Sequence, residues 1–168
     1  MGLFNYEIYK SPDIRLASEN SIKLFLAGTI DMGNSKDWQE EFSRSIVKDF
    51  CSFNPEIKLS IYNPRRDTFN ESSEIEQIKW EMDRLDHSDV IIMNFLPESK
   101  SPISFLELGL YSRSGKLIVV CPKEFYRYEN VRLTCLKYHI SRFENINEIK
   151  PNDIINTYLN GRFERSIS

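Results

Sequence analysis

The chain has 168 residues, of which 40% are hydrophobic, 12% aromatic and 28% charged, with a formal net charge of −3. That size fits one domain able to bury a core without disulfides or a structural metal, and the aromatic share argues against disorder. Arg65 and Arg66 are too small a basic patch for the phosphate-tracking stripe of a nucleic-acid polymer binder.

Three cysteines (Cys51, Cys121, Cys135) and two histidines (His87, His139) lie at wide, irregular spacing. They support neither a disulfide framework nor a metal site. No signal-like segment stands near the N-terminus and no apolar run is long enough to span a bilayer, so the expectation is a cytoplasmic protein without a membrane partner.

In chain order, residues 22–27 (IKLFLA) form an apolar run closed by Gly28, the pattern of a buried strand ending in a tight turn. The segment 37–50 places Trp38, Phe42, Ile46 and Phe50 on one helical stripe with Asp37 as N-cap. Residues 57–62 (IKLSIY) read as a second strand, stopped by Asn63 and Pro64. A helix over 73–88 follows, with Ile75, Ile78, Met82 and Leu85 at helical spacing, and then a third strand at 89–95. The segment 101–115 offers Ser101 as N-cap, Pro102 at the first helical position and Gly115 as a stop. A fourth strand occupies 116–121, a fifth comes from 137–143, and 151–163 reads as a closing helix. Strands alternating with helices, each strand nearly all apolar, predict an α/β parallel sheet of about five strands covered on both faces. It forms a single domain over 1–168 with its core at about 22–160, and residues 1–20 are the most loosely tied.

Ligands bind such sheets at the C-terminal strand ends. Four segments carry polar groups there: AGTIDMG, with Gly28, Thr29 and Asp31; NPRRD, with Arg65 and Arg66; NFLPESKSPISFLELG, with Ser101, Ser104 and Glu107; and CPKEFYRYENV, with Asn130. The first fits neither a dinucleotide nor a triphosphate loop, and a plain strand-to-helix turn explains its glycines equally well. Glu107 is the sharpest residue. It lies between Ile103, Leu110 and Tyr111 in a helix apolar nearly all round, which predicts burial and a raised pKa suited to a nucleophile or an acid/base. The alternative is an early-helix glutamate favoured by the dipole. Glu81, at the margin of the preceding apolar stripe, is a candidate second acid of the kind glycosidic cleavage needs, or else a solvated-face residue. Asp89 is either a substrate contact or an Asx cap on a backbone turn. One of Arg65 and Arg66 pairs with a carboxylate, leaving the other for a phosphate. Cys121 reads as a packed core thiol.

LFLAGTID, YNPRR, EMDRLDHSDVIIMNF, SPISFLELGLY and CPKEFYRYENV, in order over about residues 22–135, resemble the nucleoside 2-deoxyribosyltransferase-like family. The resemblance implies a Rossmann-like or flavodoxin-like doubly wound sheet. It implies a homo-oligomer, dimer or higher, with sites completed across subunits, and a double displacement on a nucleoside or nucleotide that uses no metal or cofactor. In that scheme Glu107 attacks the anomeric carbon, Glu81 assists the departing base, and Asn130 projects into a neighbour's site. Two positions depart from the pattern. Phe25 stands where many members have a tyrosine that positions the nucleophile, leaving Tyr62 or Tyr111 to replace it. Ser101 stands where base-exchanging members have an aspartate for the 5′-hydroxyl, which resembles the related 5′-monophosphate N-glycosidases. A binding or sensor protein without turnover is the reading from another class.

Overall fold

The computed structural model describes residues 5–68 and 73–167. The apolar runs become the centre of one sheet because each is buried on both faces: every residue of VIIMN and of LIVV is buried. The strands are β1 (Tyr6–Lys10), β2 (Ser21–Gly28), β3 (Lys58–Asn63), β4 (Val90–Asn94), β5 (Leu117–Val120) and β6 (Ser141–Phe143). All pair in parallel, in the spatial order β1-β3-β2-β4-β5-β6. From β2 onward this is the flavodoxin order, with the direction of winding reversing between β2 and β4.

One strand more is present than the apolar runs predict. β1 registers Tyr6 against Leu59 and Lys10 against Asn63 at the sheet edge, within residues expected to be loosely tied. Of its five residues only Tyr9 is buried, so it carries no continuous apolar run by which to be recognised.

Among the described residues five α-helices cover the faces: α1 (Trp38–Phe53), α2 (Glu74–His87), α3 (Pro102–Tyr111), α4 (Tyr128–Lys137) and α5 (Pro151–Ile167). α1 buries the predicted stripe of Trp38, Phe42, Ile46 and Phe50, and the Asp37 carboxylate accepts from Glu40 N–H at 3.1 Å, a cap worth about 1 kcal/mol. α1 and α5 share a core with Leu24, Ile61 and Ile92, while α2, α3 and α4 pack on the other face against Phe25, Ile91 and Val119. α4 escapes the periodicity reading because only Val131 and Cys135 anchor it.

The outer surfaces of α2 and α3 correct two expectations. α2 buries Trp80, Arg84 and Leu85, so Ile75, Ile78 and Met82 face outward. Arg84 takes the inward place by lying over the Tyr62 and Trp80 rings, at 5.3 and 5.8 Å, and donating to the Asp13 and Arg15 carbonyls. α3 is not buried all round: Ser104, Glu107 and Leu108 are inside, whereas Ile103, Leu106 and Leu110 are 59%, 60% and 68% exposed.

Candidate active site

Where the winding reverses, the chain leaving β2 turns to one face of the sheet and the chain leaving β4 to the other, and a crevice opens between them. A cavity of about 630 Å³ fills it, lined by the ends of β2 and β3, one side of α2 and the first two turns of α3. Gly28 makes the crevice possible. Its φ is +125°, and a Cβ there would fall 2.2 Å from the Asn94 carbonyl oxygen, so only glycine lets β2 close on β4. Thr29 N–H then donates to the same carbonyl at 3.0 Å.

A chain of hydroxyls runs from this turn into α3. The Asp31 carboxylate, which only accepts, takes the Ser99 proton at 2.9 Å. With that proton used, Ser101 Oγ must donate to Ser99 Oγ, at 3.0 Å, and Thr29 Oγ1 must donate to Ser101 Oγ, at 2.6 Å. Leu96 N–H completes the series into Thr29 Oγ1 at 3.1 Å. The Ser101 hydroxyl therefore serves its neighbours and leaves the α3 N-terminus uncapped by a side chain. Ser101 adopts φ +46° and Asp31 φ +49°, left-handed conformations held by these bonds.

Glu107 lies 9% exposed on the inner side of α3 and lines the cavity, as does Ser104 beside it. Burial, and secondarily the charge of Glu81, push its carboxyl up to about 8. Glu81 lines the same cavity from α2. Burial raises it too, while a hydrogen bond from Gln77 and the charge of Arg66 pull it back. Gln77 is a residue that sequence reasoning missed. Its amide oxygen accepts from Arg66 Nε, and its amide nitrogen donates to Glu81 and to the Pro64 carbonyl, so it ties the cation to the acid. The i,i+4 spacing of Gln77 and Glu81 on one helix was the available signal.

Of the eleven sequence-predicted residues, Gly28, Thr29, Asp31, Arg66, Glu81, Ser101, Ser104 and Glu107 line this cavity. Three do not. Arg65 turns away to bind the Gly33 and Ser35 carbonyls at 2.9 and 2.7 Å and to pair with Asp37 at 3.5 Å, which fixes the entry to α1. Asp89 sits at the opposite end of β4, where its carboxylate accepts from Lys23 N–H at 2.9 Å and acts as a backbone cap. Asn130 is exposed on α4. Phe25 lines the cavity, and neither tyrosine replaces the hydroxyl it lacks: Tyr62 is packed against Tyr9 and Trp80, and Tyr111 donates to Asp86 at 2.5 Å. Among the described residues no group of three or more His, Cys, Asp and Glu is placed to hold a metal, and no helix is long and apolar enough to cross a membrane.

Two carboxyl groups of unequal environment, one without a cation or hydrogen-bond donor among the described residues and one with both, can divide the roles of nucleophile and proton donor. Residues 21–125 match a family model described as nucleoside 2-deoxyribosyltransferase like, a span that contains every described residue lining the cavity. No curated protein matches the chain.

Proposed function

The chain belongs to the nucleoside 2-deoxyribosyltransferase-like family, and from that premise we propose that it cleaves the N-glycosidic bond of a nucleoside through a glycosyl ester on Glu107. The observation that carries the proposal is the placing of a buried Glu107 and a half-buried Glu81 on the walls of one cavity, with the pair coupled by charge. Such a pair holds a single proton over a range of pH. In the reactive arrangement the proton is on Glu81 and Glu107 is ionised. Glu107 attacks the anomeric carbon, the bond from that carbon to the base nitrogen breaks, and the base leaves with the Glu81 proton. Water or an acceptor base then attacks the same carbon, releases Glu107 and returns a proton to Glu81.

The hydroxyl chain favours a substrate with a free 5′-hydroxyl. Family resemblance puts Ser101 at the 5′ end of the sugar, and its proton is directed to Ser99, so it offers an acceptor lone pair with the Asp31 carboxylate nearby. A hydroxyl donor suits that position better than a phosphate, which brings only acceptors and negative charge. The second reading, hydrolysis of a 5′-monophosphate, is favoured by the Arg66 guanidinium in the cavity wall. A third, nucleotide binding without turnover, draws on the cavity's lack of a tyrosine among its described residues.

Of the exposed aliphatic stripes of α2 (Ile75, Ile78, Met82) and α3 (Ile103, Leu106, Leu110), Ile78 and Ile103 line the cavity. A second copy of the chain covers them in this proposal, forming a homo-oligomer, and a monomer by light scattering would remove that part. The function itself is tested by incubation with nucleosides and 5′-monophosphates, with and without a free acceptor base, and chromatography of the released bases. Release from nucleosides is expected. Acceptor dependence separates transfer from hydrolysis, preference for monophosphates reverses the substrate assignment, and no release from any substrate leaves the binding reading.

A further inference from the structure

A second cavity, of about 480 Å³, opens at the opposite end of the sheet, beside the first residues of β5 and β6. Three segments of the chain build it: the turn after α3 brings Arg113, the last residue of α4 and the turn after it bring Lys137 and His139, and α5 brings Thr157 and Asn160. Among its described lining residues, two carry a fixed positive charge, one is a histidine, and none is an aspartate or glutamate. The whole chain has 25 acidic residues against 22 Lys and Arg, so this wall inverts the balance of the molecule locally.

The two cations are positioned by an aromatic ring. The Arg113 guanidinium carbon lies 5.4 Å, and Lys137 Nζ 5.7 Å, from the centre of the Tyr138 ring, within cation–π range. A hydrogen bond with Arg113, then the charges of Arg113 and Lys137, hold the Tyr138 phenol below its ordinary value, as a locally positive potential does. His139 follows in a left-handed conformation, φ +55°, that turns the chain from α4 toward β6. A cation in the last turn of a helix ordinarily complements the macrodipole, and that accounts for Lys137. It does not account for Arg113, which lies beyond the end of α3 and bends onto a ring of the next helix terminus.

We propose that this cavity is a second ligand site, one that takes a small phosphorylated metabolite. The phosphate oxygens are received by Arg113 and Lys137, with Asn160 and Ser141 as uncharged donors, and the apolar body of the ligand rests on Leu117 and Ile140. Phosphate is the fitting anion because its charge of up to about −2 and its three acceptor oxygens match two cations flanked by neutral donors. The volume lies within the range of about 300–1,000 Å³ typical of small-molecule sites. The site is separate from the Glu107 cavity, so it stands whether or not the glycosidic reading does.

Isothermal titration of the full chain with inorganic pyrophosphate tests the assignment. Saturable binding is expected, weakened about tenfold or more in the Arg113→Ser/Lys137→Ser double variant and retained in Arg66→Ser, which removes the cation of the other cavity. Arg113 and Lys137 are exposed, so an unchanged circular dichroism spectrum is expected of the double variant. The single changes Arg113→Gln and Lys137→Gln, each expected to weaken binding severalfold, serve as the milder check. No saturable binding, unchanged binding in the double variant, or loss in Arg66→Ser overturns the proposal.

Discussion

At the C-terminal end of the sheet, Glu107 is buried and Glu81 half-buried beside it, whereas at the N-terminal end Arg113 and Lys137 are cations standing in solvent over a tyrosine ring. The same fold thus handles charge by two different physics. Around Glu107 the dominant influence is desolvation, which acts on one group and is little affected by salt. Around Tyr138 the dominant influences are a hydrogen bond and the charges of exposed neighbours, which solvent and salt attenuate. Substitutions at the first end should therefore be felt in reactivity and in global stability. At the second they should be felt in ligand binding and in little else.

The largest expected effect lies on Glu107. Glu107→Gln is nearly isosteric, and activity on nucleosides should fall by about 10³ or more, in line with the removal of a nucleophile elsewhere, while pyrophosphate affinity at the far end stays unchanged. Steady-state rates and titration of the same preparation check both halves. Retention of activity would sink the nucleophile assignment, and a joint loss would erase the distinction between the two ends.

Glu81 should give the next effect. If the pair works with one proton, kcat/KM follows a bell whose alkaline limb lies near 8, where the pair gives up that proton, and whose acid limb marks the uptake of a second proton by the pair. Glu81→Gln should lower the rate by about 10², within the usual contribution of a general acid. It should also abolish the alkaline limb, leaving activity that only rises with pH as Glu107 ionises. A variant that keeps the full bell would assign the alkaline limb to another group.

The smallest effect is on stability. The folded state holds the Glu107 proton more tightly than the unfolded chain does, so between about 4.5 and 8 unfolding releases it and the native state loses stability as pH rises. Glu107→Gln removes that penalty. Urea denaturation should show the variant near the parent at pH 4.5 and more stable by about 2–4 kcal/mol at pH 9. The Arg113→Ser/Lys137→Ser protein should stay within about 0.5 kcal/mol of the parent at both values. A Glu107→Gln protein without this widening gap would show that the carboxylate reaches water in solution.

The amino-acid sequence determined the features whose physical cause is local. β2, β4 and β5 are apolar runs because both faces of the sheet are covered, α1 shows its stripe because one side of it is buried, and Gly28 ends β2 where a Cβ would strike Asn94. Glu107 stood out as a carboxyl among aliphatic neighbours, but Ile103 and Leu110 face outward, and Glu107 is buried because its own side of α3 meets the sheet. Tertiary structure alone decided which side of each helix meets the sheet. The outward aliphatics of α2 and α3 have the spacing of a core stripe, and periodicity records that a stripe exists without recording what covers it. It also decided which of two adjacent arginines reaches the cavity, and it joined Thr29 to Ser101 across 72 positions of sequence. The cationic cavity, assembled from the ends of α3, α4 and the side of α5, had no local signature either. Burial pattern is written residue by residue along the chain, whereas a site made by convergence depends on distances that only the packed sheet and its crossovers establish.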